Sequence, residues 1–390
     1  MNRLFSLLAT VISVVMLSFI SYSPINQNKF PFEKANPKIQ AAILLDVSNS
    51  MDGLIDQAKN QLWNMVNVLS KVTCDGNTPA IEIALYEYGR TENKSSEGFV
   101  KQISPFTNNL DLLLKELISL RTHGGDEFCG HVMYNSLTQL NWDSSANSYK
   151  VIFISGNESF LQGDVSFTKA CEEAKRKGVV INTIYCGSKD QGIKENWNLG
   201  AECGNGTFSN IDQNAEPLII PTPYDTTIIT LKSKLNETYV IYGRRGALEY
   251  ESMLQGDTLP VYNIVDPTKM DSFVISQSVI ARSNKHLYNN PQWDLVDAME
   301  KNPKIIDTLD MTTLADSLKG RSRMDLKRIV ENMTMQRKKV RGQIDELAHK
   351  QEQFIKAEKE KQKTNGPQTL QSEIERIIRD QVQRVKMKIE

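Results

Sequence analysis

Residues 39–53 read IQAAILLDVSNSMDG and combine an apolar run with a polar motif directly after it. An apolar run over residues 41–45 ends at Asp46, which opens the pattern Asp46-x-Ser48-x-Ser50. A run of that length and composition is typical of a buried strand in a parallel sheet. The pattern therefore places one carboxylate and two hydroxyls on the loop that leaves the carboxyl end of a strand, where open α/β sheets bind their ligands.

The three side chains of this loop offer hard oxygen atoms on short stems. Such a set can hold a divalent cation like Mg²⁺, which prefers oxygen ligands and usually keeps some of its waters. Asp and Ser after a strand are also ordinary residues at the start of a helix, and short motifs recur by chance. Taken alone, the pattern leaves both interpretations open.

Strands and helices alternate over residues 38–212. Strands are predicted at 80–88, 99–103, 151–155, 179–185 and 207–210, with the second of these at an edge of the sheet, and helical spacings fill most of the intervals. This alternation predicts an α/β fold: a Rossmann-like, doubly wound, mainly parallel sheet with helices on both faces. A mostly α-helical C-terminal region is predicted to follow it.

The chain resembles the von Willebrand factor A (VWA) domain family. In that family the metal-ion-dependent adhesion site (MIDAS) begins with this pattern after the first strand, and Asp46, Ser48 and Ser50 match it position for position. Met51 fits the usual continuation, and the order of elements over 38–212 is similar to a whole VWA domain. A bacterial subgroup of exported proteins with this domain is also similar, through the stretches 84–89, 124–130 and 153–160.

The resemblance implies two further loops at the metal site. Gly124-Gly125-Asp126 is similar to the branch of the family that carries a carboxylate in the second loop, so Asp126 is the predicted ligand, directly or through water. Thr122 competes for this role. Glu127 is a weaker candidate, because an acidic residue in the first turn of a helix is also favourable to the helix dipole.

In the third loop the family's usual aspartate is missing. Asn157 would replace it through its carbonyl oxygen or a bridging water, as a neutral substitute. Glu158 carries a charge but lies two positions beyond the expected place. The implied cofactor is one divalent ion, Mg²⁺ or else Mn²⁺ or Ca²⁺.

Other kinds of chemistry find less support. His123, Cys129 and His131 lie near Asp126 in sequence, but zinc would favour a second close Cys or His pair, and a loop and helix-surface interpretation competes. No Gly-x-Ser-x-Gly elbow, P-loop or Gly-x-Gly-x-x-Gly fingerprint is present. We therefore predict a protein that is not an enzyme.

The five cysteines all lie between residues 74 and 203, within the predicted α/β domain. An exported protein can form disulfides, and an odd number leaves at least one thiol unpaired. Cys186 and Cys203 are the predicted pair. The alternative is that all five are small buried apolar residues.

Residues 1–23 are predicted to be an export segment, followed by a linker over 24–37. The segment has a short basic start and a seventeen-residue, mainly apolar stretch over 4–20, so a signal peptide and an N-terminal membrane anchor both stay open. The predicted location is outside the cytoplasm: the periplasm, an inner-membrane-anchored position or the cell surface.

The C-terminal half divides into a mixed, partly helical region over 213–323 and amphipathic helices over 324–390. Apolar residues seven apart would suit a coiled coil or a helix that packs on its own chain, and these are Leu326, Met333, Val340, Leu347 and Phe354. Arg337 and Gln351 interrupt a second row, which favours packing on the same chain.

Charge is unevenly distributed along the chain. Residues 321–390 hold 18 basic and 11 acidic residues, whereas the other 320 residues hold 28 and 36. A solvated face explains the basic surplus, and export argues against nucleic acid.

The predicted function is an exported, metal-ion-dependent (MIDAS-type) protein-binding or assembly module of the cell envelope. The resemblance implies a protein partner that offers an acidic side chain to the metal. A metal-independent scaffold acting through the helical tail is the alternative, and a metal-assisted hydrolase using Asp126 and Glu127 is a third. Residues 24–215, which contain the predicted domain at 38–212, are expected to fold alone.

Overall fold

The computed structural model describes residues 37–212, 214, 220–258, 267–362 and 369–389. The export segment predicted at 1–23 and nearly all of the linker predicted at 24–37 lie outside the described residues. Within the described ranges, no helix combines the length and the apolar character that a membrane span requires.

A six-stranded sheet forms the centre of the N-terminal part. In spatial order its strands are β4 (Lys101–Thr107), β3 (Ala80–Tyr88), β1 (Lys38–Asp46), β5 (Tyr149–Gly156), β6 (Val180–Cys186) and β7 (Phe208–Ile211). Every pairing is parallel except that of the edge strand β4, which is antiparallel to β3. This confirms the predicted doubly wound, mainly parallel sheet.

The central strand β1 is buried along almost its whole length because helices cover both faces of the sheet. Alternate residues enter different cores. Ile43 and Leu45 pack with α1 (Asp52–Ser70) and α2 (Leu110–Ser119), whereas Leu44 packs on the opposite face of the sheet. The helices of the N-terminal part after α2 are α3 (Cys129–Gln139), α4 (Phe167–Lys177), α5 (Lys189–Lys194) and α6 (Trp197–Cys203). The continuous apolar run that predicted β1 follows from this two-sided burial.

The C-terminal half is mostly helical, as predicted. Its helices before residue 369 are α7 (Asp225–Asn236), α8 (Gly246–Thr258), α9 (Pro267–Ser283), α10 (Leu295–Lys301), α11 (Ile305–Thr308) and α12 (Arg323–Gln362). Near its start, α12 buries Leu326 and Val330 in one apolar cluster; further along, it buries Val340 and Ile344 in another. The long helix therefore packs on helices of its own chain.

Arg337 and Gln351 do not interrupt the second row of α12, which corrects the sequence interpretation. They follow Val330 and Ile344 at the same seven-residue interval and are only 1% and 2% exposed. Both side chains are buried because polar groups of neighbouring helices satisfy them: Arg337 by two aspartates, and Gln351 by Asp225, Ser276 and Gln277.

The last helix, α13 (Leu370–Gln381), returns to the sheet and packs on α1. Its apolar residues lie in the same core as β1, and these are Leu370, Ile374, Ile377 and Ile378, with Val382 just beyond the helix. A short strand β8 (Met387–Ile389) then pairs antiparallel with β2 (Val72–Cys74). Gln381 adds a buried polar contact, accepting a hydrogen bond from the Tyr149 hydroxyl at 2.9 Å.

The described part of 324–390 therefore contributes to three apolar clusters: α12 to two clusters shared with the helices before it, and α13 to the core of the sheet. In the sequence, the helical residues 220–258 and 267–362 stand between β7, the last strand of the sheet, and α13, which packs in the core of the sheet. This differs from the expectation that a segment ending near Ile211 contains a complete core. The limits 38–212, 213–323 and 324–390 themselves stay a prediction.

One disulfide joins Cys171 to Cys203, with 5.8 Å between their Cα atoms. This corrects the predicted pair of Cys186 and Cys203. The reason is the side of the sheet on which each residue lies: Cys186 packs in the core beneath α1, whereas Cys171 packs in the core on the opposite face. Cys186 remains a buried thiol, as do Cys74 and Cys129.

Candidate metal site at the carboxyl edge of the sheet

Asp46 lies at the centre of the candidate site. The last residue of β1 pairs with Tyr88 at the end of β3, and Leu45 pairs with Ser155 near the end of β5, so three strands end at one edge. Asp46 is fully buried, and its Oδ1 accepts a hydrogen bond of 2.8 Å from the backbone N–H of Ser48. Its Oδ2 is buried without a hydrogen-bond partner.

Glycines flank the Asp46 carboxylate on both sides. A Cβ atom at Gly156 would lie 2.9 Å from Asp46 Oδ2 and 2.5 Å from the Tyr88 hydroxyl. A Cβ at Gly89 would lie 3.0 Å from Asp46 Oδ1, and Gly89 has a φ of +82°, a conformation that other residues rarely adopt. The two strands beside β1 thus present bare backbone to the carboxylate, which keeps space around it.

The two hydroxyls of the motif lie beside Asp46 and are close to each other. The Oγ atoms of Ser48 and Ser50 are 3.5 Å apart, and the Asn157 side-chain amide donates to Ser50 Oγ at 3.1 Å. Asn157 Oδ1 is buried and has no hydrogen-bond partner. The third loop therefore reaches the first through Asn157; its role as a metal ligand stays a prediction.

In the second loop the structure brings Glu127, rather than Asp126, to the site. Glu127 is buried, and Asp46 and Ser48 lie near enough to influence the pKa of its carboxyl group. A Cβ atom at Gly89 would lie 3.0 Å from Glu127 Cγ and also 3.0 Å from Asp46 Oδ1. The side chains of Glu127 and Asp46 are therefore close to each other. Asp126 is exposed, and in the described part of the chain none of the hydrogen bonds of this cluster involves it.

Backbone contacts fix the loop that precedes Glu127. The N–H of His123 donates to the carbonyl of Val47 at 2.8 Å, and the N–H of Gly124 donates to Asn49 Oδ1 at 2.8 Å. These bonds hold the loop against the motif, and the chain then turns inward to begin α3 at Cys129. Because of this inward turn, Glu127 is buried whereas Asp126 stays exposed.

Two further candidates lie at the margin. The Thr122 hydroxyl donates to Asp52 in the first turn of α1. Glu158 is exposed, but its charge raises the pKa of both Asp46 and Glu127, so it lies near them. Neither residue takes the central place of Asp46.

Both buried carboxyl groups have strongly raised pKa values. Burial raises the pKa of Asp46 to about 7, with the charge of Glu158 adding to it in spite of hydrogen bonds from Ser48. The pKa of Glu127 is also raised to about 7, by burial first and then by the charges of Asp46 and Glu158. Buried carboxylates without a countercharge are costly, so a cation would suit this cluster.

The donor set fits a hard divalent cation. It offers carboxylate, hydroxyl and amide oxygens, two of which are buried and lack a partner. Within the described residues no group of three or more His, Cys, Asp or Glu side chains could hold a metal, so the site at Asp46 would depend on hydroxyl and amide oxygens beside its carboxylates. His123 pairs with Glu92 at 2.9 Å, and His131 with Asp164 at 3.0 Å.

Gly89, Gly156 and Glu127 are the site residues that the sequence interpretation missed or ranked too low. The positions of the two glycines could have been noticed in the sequence, since each stands at the end of a predicted strand that neighbours β1. Nothing in the sequence favours Glu127 over Asp126, because the choice depends on where the loop turns inward.

Replacing Asn157 by aspartate should tighten divalent binding and destabilise the metal-free protein. The change puts a third negative charge beside two carboxyl groups that already resist ionisation, and a cation would relieve that repulsion. Calorimetric titration with Mg²⁺ would measure the first effect, and thermal unfolding in EDTA the second. Equal affinity in both proteins would mean that residue 157 lies outside the coordination sphere.

No model of a known protein family and no curated protein sequence matches the chain. Among solved structures it is similar to the SpRpn10 VWA domain, at 14% identity and a TM-score of 0.34 over 45% of this chain and 88% of that one. It is also similar to an aerotolerance-related membrane protein from Bacteroides fragilis, at 12% identity and 0.32 over 45% and 92%.

A third similar structure is the proximal thread matrix protein 1 of the mussel byssus, described with a zinc-occupied MIDAS motif. The identity is 14% and the TM-score 0.34, over 45% of this chain. The chain spans 42% of the length of that protein. At such identities and TM-scores these similarities say nothing about the ligands or partners of the present chain.

Proposed function

We propose that this chain is an exported VWA-type protein of the cell envelope that binds a protein partner through one divalent cation. Asp46, Ser48, Ser50 and Glu127 would hold the ion, with Asn157 contributing Oδ1 directly or through water. The observation that carries the proposal is the buried, unpartnered Oδ2 of Asp46 beside a second buried carboxyl group.

The ion would be Mg²⁺, Mn²⁺ or Ca²⁺, since the donors are hard oxygens. A hard cation with an open position attracts a carboxylate oxygen, so the partner would offer an acidic side chain. Asp126 is exposed at the same loop, and it would act only at the rim of the contact or through water.

Binding rather than turnover is the role that the side chains favour. In the described chain the hydroxyls of Ser48 and Ser50 have each other and the Asn157 amide as neighbours, rather than a histidine base. An activated nucleophile needs such a base within hydrogen-bonding reach. Export is supported by the disulfide between Cys171 and Cys203, because disulfides persist mainly in oxidising compartments.

Asp46→Asn and Glu127→Gln should each weaken Mg²⁺ or Mn²⁺ binding by at least about 100-fold, since even residues behind metal ligands cost 10- to 100-fold. Both changes keep the shape of the side chain, so the fold should survive. Asp126→Asn, one position away and exposed, is the matched control and should bind like the unchanged protein. Calorimetric titration of the unchanged protein and the three variants with Mg²⁺ and Mn²⁺ measures these affinities. Loss in Asp126→Asn with normal binding in Glu127→Gln would reverse the assignment of the second loop.

The binding role itself is tested by capture of partners on the immobilised protein. The proposal expects a partner from envelope extract that is retained with Mg²⁺ and released by EDTA, and that Asp46→Asn does not retain. A partner that both proteins hold in EDTA would favour the metal-independent scaffold. The internal packing of α12 makes that alternative weaker, because its apolar row is already covered.

A further inference from the structure

A large cavity lies away from the candidate metal site, where the start of α2 meets the helical region. It has a volume of about 520 Å³ and is bounded by residues 108–111, by the turn and first half of α8, and by the loop at 287–293. Small-molecule sites in proteins have volumes of about 300–1,000 Å³. A smaller cavity inside the core beneath α1 measures only about 30 Å³ and is a packing gap.

The inner wall of the large cavity is apolar and firmly supported. It is formed by Leu110, Met253, Leu287, Tyr288 and Trp293, all buried. Trp293 stacks on Tyr239 with 5.3 Å between ring centroids, and Tyr250 packs on it at 6.2 Å. A wall of this kind suits the flat or apolar face of a bound molecule.

Exposed amides and guanidinium groups form the rim. The amide side chains at the cavity are Asn108, Asn109, Asn289, Asn290 and Gln292. Amides both donate and accept hydrogen bonds, so they suit a ligand with hydroxyl or amide groups. Asn109 is already engaged as the cap of α2, where its Oδ1 accepts from the N–H of Leu112.

The charges at the cavity favour an anion. Its two acidic residues have basic partners: Asp111 pairs with the buried Arg282 at 2.5 Å, and Glu249 pairs with Arg245 at 3.4 Å. Arg244 makes no salt bridge in the described part of the chain, although it lies near enough to the exposed Asp310 to help lower the pKa of that residue. One guanidinium at the rim is thus available to a ligand.

We propose that this cavity binds a small polar molecule with one carboxylate group, held by Arg244 at the rim and packed against Trp293. The carboxylate would receive charge-assisted hydrogen bonds from the guanidinium, and the body of the ligand would bond to the rim amides. A sugar acid and the free end of a short peptide share this chemistry. The site is independent of the cation proposed above.

The experiment uses two acids, each with a neutral counterpart. D-glucuronic acid is compared with D-glucose, and N-acetyl-alanyl-alanine with its C-terminal amide, by calorimetry and ligand-observed NMR on the full chain. All titrations are run in EDTA and repeated on Asp46→Asn, so that a carboxylate bound to the metal site cannot be mistaken for one in the cavity. We expect at least one acid to bind about tenfold more tightly than its counterpart, the worth of one charged hydrogen bond.

Two variants locate the binding. Arg244→Gln should remove the preference for the acid, and Ser252→Trp should fill the cavity and abolish binding. Arg328→Gln and Thr226→Trp are the matched controls on exposed positions of α12 and α7, and should bind normally. Thermal unfolding checks that every variant is folded. Binding of D-glucuronic acid would identify the ligand as a sugar acid, and binding of N-acetyl-alanyl-alanine would identify it as the free end of a peptide. Failure of both acids, or binding that persists in Ser252→Trp, overturns the proposal.

Discussion

Replacing Arg337 by methionine is expected to lower the free energy of unfolding by about 3–5 kcal/mol, the usual cost of removing one partner from a buried ion pair. The guanidinium donates to Asp294 at 2.5 Å and to Asp297 at 3.0 Å. It also donates to the hydroxyl and the carbonyl of Thr238, and lies 4.3 Å from the ring centroid of Tyr239.

The cost arises from what the substitution leaves behind. Asp294 and Asp297 are almost fully buried, so without Arg337 two carboxyl groups would face each other away from water. Burial and the charge of Asp294 already raise the pKa of Asp297 while the arginine is present. Arg341 lies nearby, but its own pKa is lowered by burial and by the charge of Arg337.

Denaturant unfolding of the full chain measures this effect, with Arg328→Met as the control. Arg328 lies on the same helix but is exposed, so its replacement should change the free energy by less than about 0.5 kcal/mol. Arg337→Lys should fall between the two, because it keeps the charge and loses the planar fork that reaches several acceptors. Similar values for Arg337→Met and Arg328→Met would show that the ion pairs do not stabilise the helical region.

Removal of residues 369–390 should abolish cooperative folding of the sheet. The deletion takes away six buried apolar side chains, at Leu370, Ile374, Ile377, Ile378, Val382 and Met387. At roughly 1.5–3 kcal/mol each, their burial is worth about 9–18 kcal/mol. That is at least as large as the whole stability of a typical domain, about 5–15 kcal/mol.

Circular dichroism and thermal melts of the truncated chain test this directly. Ile377→Ala should cost about 2–5 kcal/mol as a large-to-small change in a core. Arg379→Ala, exposed two positions later, should cost almost nothing. Adding a peptide of residues 369–389 to the truncated chain should restore part of the lost signal. A truncated protein that melts like the full chain would mean that α13 only lies on a core that is already complete.

The sheet could be read from the sequence because its signals are local. The apolar run before Asp46 and the alternation of elements follow directly from two-sided burial of parallel strands. Even the edge position of β4 was predicted, although the strand runs from Lys101 to Thr107 rather than over 99–103.

The contacts of α12 and α13 could not be read in this way, because their partners are distant in sequence. Arg337 looked like a break in an apolar row since nothing nearby in the chain shows that Asp294 and Asp297 will meet it. The apolar face of α13 predicted burial but not its partner, which is α1, some 300 positions earlier. The disulfide was mispaired for a related reason: the side of the sheet on which Cys186 lies depends on strand register.

The pairing of β2 with β8 also sets the order in which the molecule can form. Val72 finds its strand partner at Ile389, so this contact cannot close until more than three hundred further residues have been synthesised. Contacts between such distant residues slow folding, because the entropy of closing a long loop is lost before the contact can stabilise the chain. While the chain is still growing, the apolar face of α1 stays open. We therefore expect the N-terminal part to remain incompletely folded until α13 and β8 have been synthesised, since both complete contacts made by elements at its start.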